Sequence, residues 1–276
     1  MKTALQCNGR FATVDGHNIH IYAQGKQNAP AIVFMAGHCT ISPVYDFKVL
    51  FEKLIPDFRI IVTEKFGYGY SDIWDAPSDI DSLVSVQRQA LRALGETGPY
   101  ILAPHSMSGL EAIRWKQTFP DEVSAIIGID MATPLSYSVW SEEDVQKAVR
   151  LMKFMRRLKL GNILVSLKNQ SLTEDEIKQH TLLKKRNAFN ICCINEAREV
   201  LNNAKTVENG GAIQCPTLMF SSNGKDQEKD WVENQQKFAQ IMGAKLVSYD
   251  CAHYIHQYKS DDMQKEIVEF VNALKK

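Results

Sequence analysis

Short apolar runs alternate along the chain with stretches whose apolar positions recur every three or four residues. Residues 31–35, 59–63, 100–103 and 125–129 are compact, mostly apolar runs, the length and chemistry of strands buried on both faces. Between them, 44–55, 80–94 and 110–119 carry the spacing of amphipathic helices. This βα alternation predicts a parallel sheet covered on both sides. Ahead of it, residues 11–14 and 19–23 are rich in strand formers and flank Asp15-Gly16, a dipeptide that accepts the positive φ angles of a tight hairpin turn.

The alternation stops at Pro134 and resumes after Pro216, where 217–221 and 245–249 read as strands and 231–242 and 263–274 as helices. The interval reads as helical. Ser141 with Asp144, and Thr173 with Glu176, have capping-box spacing, and Val145, Val149, Met152 and Met155 follow at helical intervals. The expected organisation is one sheet domain in two pieces, 1–133 and 213–276, around a helical insertion at 134–212.

Composition narrows the class. A chain of 276 residues, 45% hydrophobic and 23% charged, is long enough for a sizeable core and unlike a disordered or disulfide-dense sequence. Lys plus Arg and Asp plus Glu each number 32, so no global field draws the chain to nucleic acid. The balance is uneven, since 134–212 holds 13 basic and 9 acidic residues against 19 and 23 elsewhere. Lys147, Arg150, Lys153, Arg156, Arg157 and Lys159 make one helix basic; this reads as a solvated face, with a membrane surface or an anionic ligand as alternatives. The six cysteines lack zinc-type spacing, the first ten residues lack a secretory apolar stretch, and no run approaches a membrane span. A cytoplasmic protein with free thiols and no stable membrane insertion is expected; the oligomeric state is not readable.

The densest chemistry lies at Tyr100-Ile-Leu-Ala-Pro-His-Ser-Met-Ser-Gly109, a strand running into a helix through Ser106. A serine on such a turn exposes its hydroxyl above the sheet, as in G-x-S-x-G. Here Pro104 and Ser108 replace the two glycines, and Gly109 stands one position later. A serine needs a base and an acid to orient that base. The tail offers His253, nearest the last strand end, and His256 beyond it; Asp226, after the 217–221 strand, and Asp130, after the 125–129 strand, both remain open as the acid. Gly67-Tyr-Gly-Tyr-Ser71 lacks the third glycine of a dinucleotide fingerprint, no P-loop is present, and the seven histidines include no H-E-x-x-H, so neither cofactor nor metal is expected.

In these pieces the chain resembles the α/β-hydrolase family. Ile32-Val-Phe-Met-Ala-Gly-His38, Phe66-Gly-Tyr-Gly-Tyr-Ser-Asp72, Pro104-His-Ser-Met-Ser-Gly109, Pro216-Thr-Leu-Met-Phe220 and Cys251-Ala-His253-Tyr254 fall in order where that family places equivalents. The resemblance implies an eight-stranded, mostly parallel sheet flanked by helices, with a helical cap after strand six, and hydrolytic chemistry. Ser106 would be the nucleophile, His253 the base and Asp226 or Asp130 the acid. Backbone N–H groups of His38 and Met107 would form the oxyanion hole, although the usual His-Gly is Ala36-Gly37 here. Met152 and Met155 would line the pocket of a small-molecule acyl substrate. The expected activity is carboxylic ester hydrolysis through an acyl-enzyme; the alternatives are amide, thioester or C–C cleavage on the same triad, or a non-catalytic ligand-binding protein.

Overall fold

A computed structural model describes residues 5–160 and 171–274. Residues 161–170 of the expected insertion, and 1–4 and 275–276 at the ends, lie outside the described residues. Eight strands form one sheet: β1 (Arg10–Val14), β2 (His17–Gln24), β3 (Ala31–Met35), β4 (Arg59–Glu64), β5 (Tyr100–Pro104), β6 (Val123–Ile129), β7 (Thr217–Ser221) and β8 (Lys245–Ser248). Their order is β1-β2-β4-β3-β5-β6-β7-β8, antiparallel at β1–β2 and β2–β4 and parallel from β4 onward. The hairpin forms as Asp15-Gly16 predicts, with φ of +51° and +80° at the two turn residues.

Alternation along the central strands sends side chains to opposite faces. Val33, Met35, Ile61 and Leu102 pack on one side with helices α2 (Ile80–Ala93) and α3 (Ser108–Thr118). Ile32, Phe34, Ile60, Val62 and Ile101 pack on the other with α1 (Pro43–Leu54). Between β6 and β7 the described residues form α4 (Glu142–Arg157), α5 (Glu174–Asn187) and α6 (Ile191–Asn209). Both expected capping boxes are present, Ser141 with Asp144 and Thr173 with Glu176. After β7 come α7 (Trp231–Met242), the single turn α8 (Ile255–Tyr258) after β8, and α9 (Ser260–Ala273). The last helix begins three residues before its expected start because its first turn, Ser260-Asp261-Asp262, is polar and gives no periodic signal.

The sheet order positions the site. β5, β6 and β7 are neighbours, so the chain leaving each of their carboxyl ends emerges on one rim, the edge at which open α/β sheets hold ligands.

Candidate active site

Leaving β5, the chain passes through His105 and Ser106 and enters α3 at Ser108. Ser106 has φ of +53°, a conformation that costs a non-glycine residue about 1–3 kcal/mol and persists only where its surroundings fix it. The Ser106 carbonyl accepts the N–H groups of Gly109 (2.9 Å) and Ala132 (2.7 Å). Ser108, standing where a glycine was expected, is fully buried; its hydroxyl donates to the Met35 carbonyl (2.7 Å) and accepts from the His105 N–H (3.1 Å). The departure from G-x-S-x-G therefore adds a tie to the turn. Two glycines are required by close approach: a Cβ on Gly109 would lie 2.1 Å from the Ala132 carbonyl, and one on Gly37 would lie 2.6 Å from Ser106 Cβ.

One strand over, Asp130 follows β6, also at positive φ (+44°) and with no solvent exposure. Its Oδ1 accepts the Ser222 N–H and the Trp231 indole N–H, each at 2.9 Å. Its Oδ2 lies 2.6 Å from Nδ1 of His253, a buried residue just before α8. Asp226 also reaches His253, but from an exposed loop and at the backbone: its carboxylate accepts the His253 N–H at 3.2 and 3.3 Å. Of the two open candidates, Asp130 meets the ring and Asp226 only the main chain. His256 turns away to α1, with Nε2 3.2 Å from Asp46. The ring of His105, beside Ser106, lies 4.6 Å from that of His253, which brings the serine turn and the histidine loop together. Burial, with His253 and His256 nearby, holds the His105 pKa well below its usual value.

The loop after β3 closes the third side. Among the described residues, the backbone N–H groups of His38 and Met107 donate no hydrogen bond. The His38 ring points into the insertion, with Nε2 2.8 Å from the Cys193 carbonyl of α6, and burial lowers its pKa. Next to it, the Cys39 N–H donates to the Tyr68 hydroxyl (3.1 Å), which donates to Glu196 of α6 (2.7 Å). Glu196 and Glu111 share the buried Lys65 ammonium at 3.2 and 2.7 Å. Burial opposes that charge, yet the two carboxylates raise the Lys65 pKa above its ordinary value. Two bonds from the first turns of α6 thus hold the loop beside Ser106. Sequence reading missed Tyr68, Glu196, Lys65, Glu111 and Trp231; residues so far apart along the chain leave no local pattern.

Over this rim an apolar cluster joins Val145, Val149 and Met152 of α4 to Tyr68, Cys193 and Ile194, with Met107, Cys39 and Phe189 packed against it. Met152 therefore belongs to the cluster against which Met107, the residue that follows Ser106, is packed. Met155 is not in that cluster and lines a separate cleft, while Phe154 and Leu158 are about half exposed. The residues of α6 cover only the edge of α4 that bears Val145, Val149 and Met152. Among the described residues no group of three His, Cys, Asp or Glu side chains could hold a metal ion, and no helix is long and apolar enough to cross a membrane.

Comparison with known proteins bears on the fold and the family. The YbdG protein of Bacillus subtilis, itself uncharacterised, is 28% identical over 98% of this chain and 88% of its own length. The bifunctional esterase/perhydrolase DCH of Acinetobacter calcoaceticus is 29% identical over 49% of each chain. The crystal structure of the enol-lactonase from Burkholderia xenovorans LB400 superposes with a TM-score of 0.72 at 18% identity, covering 95% of this chain and all of that one. The family profile described as alpha/beta hydrolase fold matches residues 30–171, just over half of the sequence, and the chain belongs to that family.

Proposed function

We propose that the protein is a serine hydrolase that cleaves a carboxylic ester of a small molecule. The observation that carries this reading is the His253–Asp130 pair. A buried carboxylate with one oxygen occupied by two N–H donors and the other 2.6 Å from Nδ1 fixes the imidazole tautomer that leaves Nε2 free to accept a proton. In this mechanism His253 removes the Ser106 proton as Oγ attacks the ester carbonyl. The tetrahedral oxyanion is met by the N–H groups of His38 and Met107, the second at the start of α3, where unpaired amides favour negative charge. Collapse breaks the bond to the alkoxide, which leaves with the proton carried by His253. Water, deprotonated by the same ring, then attacks the acyl-enzyme and releases the acid and Ser106.

The helical segment 134–212 is the cap in this reading, and Met152 contributes to the acyl pocket. The esterase named among the relatives supports the choice of ester over amide, thioester or C–C bond. Six free thiols support a reducing, cytoplasmic setting. The direct test is labelling with a fluorophosphonate, combined with turnover of p-nitrophenyl esters of graded acyl length. Wild type should label and Ser106→Ala should not; a folded wild-type protein that neither labels nor turns over any ester would make it a ligand-binding member of the family.

A further inference from the structure

Away from Ser106, the ends of α4 and α5 converge on a cleft of about 420 Å³ whose charged lining is entirely basic: Arg156 and Lys159 from one side, Lys184, Lys185 and Arg186 from the other. Helix C-termini favour cations, because the last carbonyls carry partial negative charge. That accounts for basic residues on each helix separately. It does not account for two such sets facing one cavity, where each cation raises the cost of the next. Elsewhere several surface lysines of this protein take nearby carboxylates: Lys147 with Glu143, Lys178 with Asp175, Lys237 with Glu233, Lys245 with Glu266. Around the cleft Arg156, Lys159, Lys184 and Lys185 form no ion pair among the described residues, and no acidic side chain lines the cavity. Arg186 is occupied differently, donating to the Gly69 and Ser71 carbonyls at 3.0 and 2.7 Å; burial lowers its pKa.

We propose that this cleft binds the phosphate groups of a small phosphorylated molecule. Four cations at two helix ends, without an ion pair among the described residues, suit a ligand with at least two negative charges, and the planar fork of Arg156 matches two phosphate oxygens at once. The volume lies in the small-molecule range. Ile73 and Met155 supply an apolar wall against which the uncharged part of the ligand rests. The inference does not depend on the catalytic reading, since none of these residues belongs to the proposed triad, oxyanion hole or acyl pocket. A soluble metabolite and a phospholipid headgroup offer the same phosphate chemistry, and the test separates them.

Calorimetric titration of the full chain with inorganic pyrophosphate at low ionic strength reads the soluble arm. Co-sedimentation with phosphatidylcholine vesicles containing phosphatidylglycerol reads the lipid arm. Pyrophosphate should bind saturably, and Lys184→Gln/Lys185→Gln should weaken binding by ~10-fold or more, as loss of charge-assisted hydrogen bonds implies. Arg156→Gln, on the other helix, should weaken it independently, with thermal midpoints reporting that each variant folds. Lys147→Gln and Lys178→Gln, on the same two helices outside the cleft, should bind like wild type. Vesicle binding that is lost in the cleft variants and displaced by pyrophosphate would identify a headgroup as the source. The proposal is overturned if neither probe binds, or if the outlying lysine variants weaken binding as much as the cleft variants do.

Discussion

The rim formed by β5, β6 and β7 and the helical segment between β6 and β7 solve opposite problems. On the rim, Ser106 and Asp130 both sit at positive φ, and both carboxylate oxygens of Asp130 are committed to named partners. Strain is tolerated there because so many bonds fix it. The helical segment also holds residues at positive φ, Lys159 and Phe189, but it meets the serine side mainly by packing: α4 buries one edge in the Met152 cluster and leaves Leu151 and Phe154 exposed, while α6 bonds the His38 ring and, through Tyr68, the Cys39 N–H. Fixed polar geometry suits bond-making, whereas a packed apolar cover suits selection. The contrast predicts large, all-or-none effects for changes on the rim and graded ones in the cover.

The largest effect tests the rim itself. Ser106→Ala and His253→Ala should each lower kcat by ~10⁴ or more, and the double variant should be little worse than either, because the groups act as one unit. Losses that multiply instead would mean that the two side chains work separately. Next comes the choice of acid. Asp130→Asn should cost on the order of 10³–10⁴ in kcat by offering His253 the wrong tautomer, whereas Asp226→Asn, which touches only the backbone N–H, should cost less than about tenfold. A reversed ranking would move the acid to the exposed loop.

The bonds joining rim and cover should give an intermediate response. Tyr68→Phe removes both the acceptor for Cys39 N–H and the donor to Glu196, and should lower kcat about tenfold with KM little changed, as expected if the oxyanion loop shifts but the pocket does not. A change confined to KM would separate Tyr68 from the loop's role. Met152→Ala should then shift the preferred acyl chain toward longer esters with a change of only a few fold in the best kcat/KM, and Met155→Ala should leave that preference alone. Equal shifts from both would join the cleft to the acyl pocket.

The smallest effect concerns pH. Burial lowers the pKa of His180 in α5 to about 4. Above pH 6.5 neither folded nor unfolded chains protonate it, so it contributes nothing; below that, the unfolded state gains the proton first and stability falls as pH approaches 4. His180→Gln should flatten the thermal midpoint across that window and leave it unchanged at pH 8. An unaltered acid slope would place the sensitivity elsewhere.

Much of the rim was legible because its signals are local. Apolar runs marked the strands, and a serine between a strand and a helix, with a histidine after the last strand, marked two members of the site. The proposed acid was not, because Asp130 and Asp226 follow adjacent strands, and the partners that hold Asp130 inward, Ser222 and Trp231, lie far from it along the chain. The cover was legible in its helices and caps but not in its facing. Met152 and Met155 are one helical turn apart, and the packing of α6, far along the chain, sends one to the Ser106 side and the other to the basic cleft. Lys65, Glu111 and Glu196 were invisible as a group, since isolated charges in three distant segments are indistinguishable from surface residues.

The bond between Asp130 and His253 closes over 123 residues, and that separation has a consequence for the newly made chain. At about 5–20 residues per second, synthesis takes roughly 6–25 s to travel from the carboxylate to its imidazole. Throughout that interval the nascent chain carries Ser106 but not the imidazole proposed to withdraw its proton. In the proposed mechanism an unfinished molecule is therefore inert toward esters, and competence waits for the loop that follows the last strand.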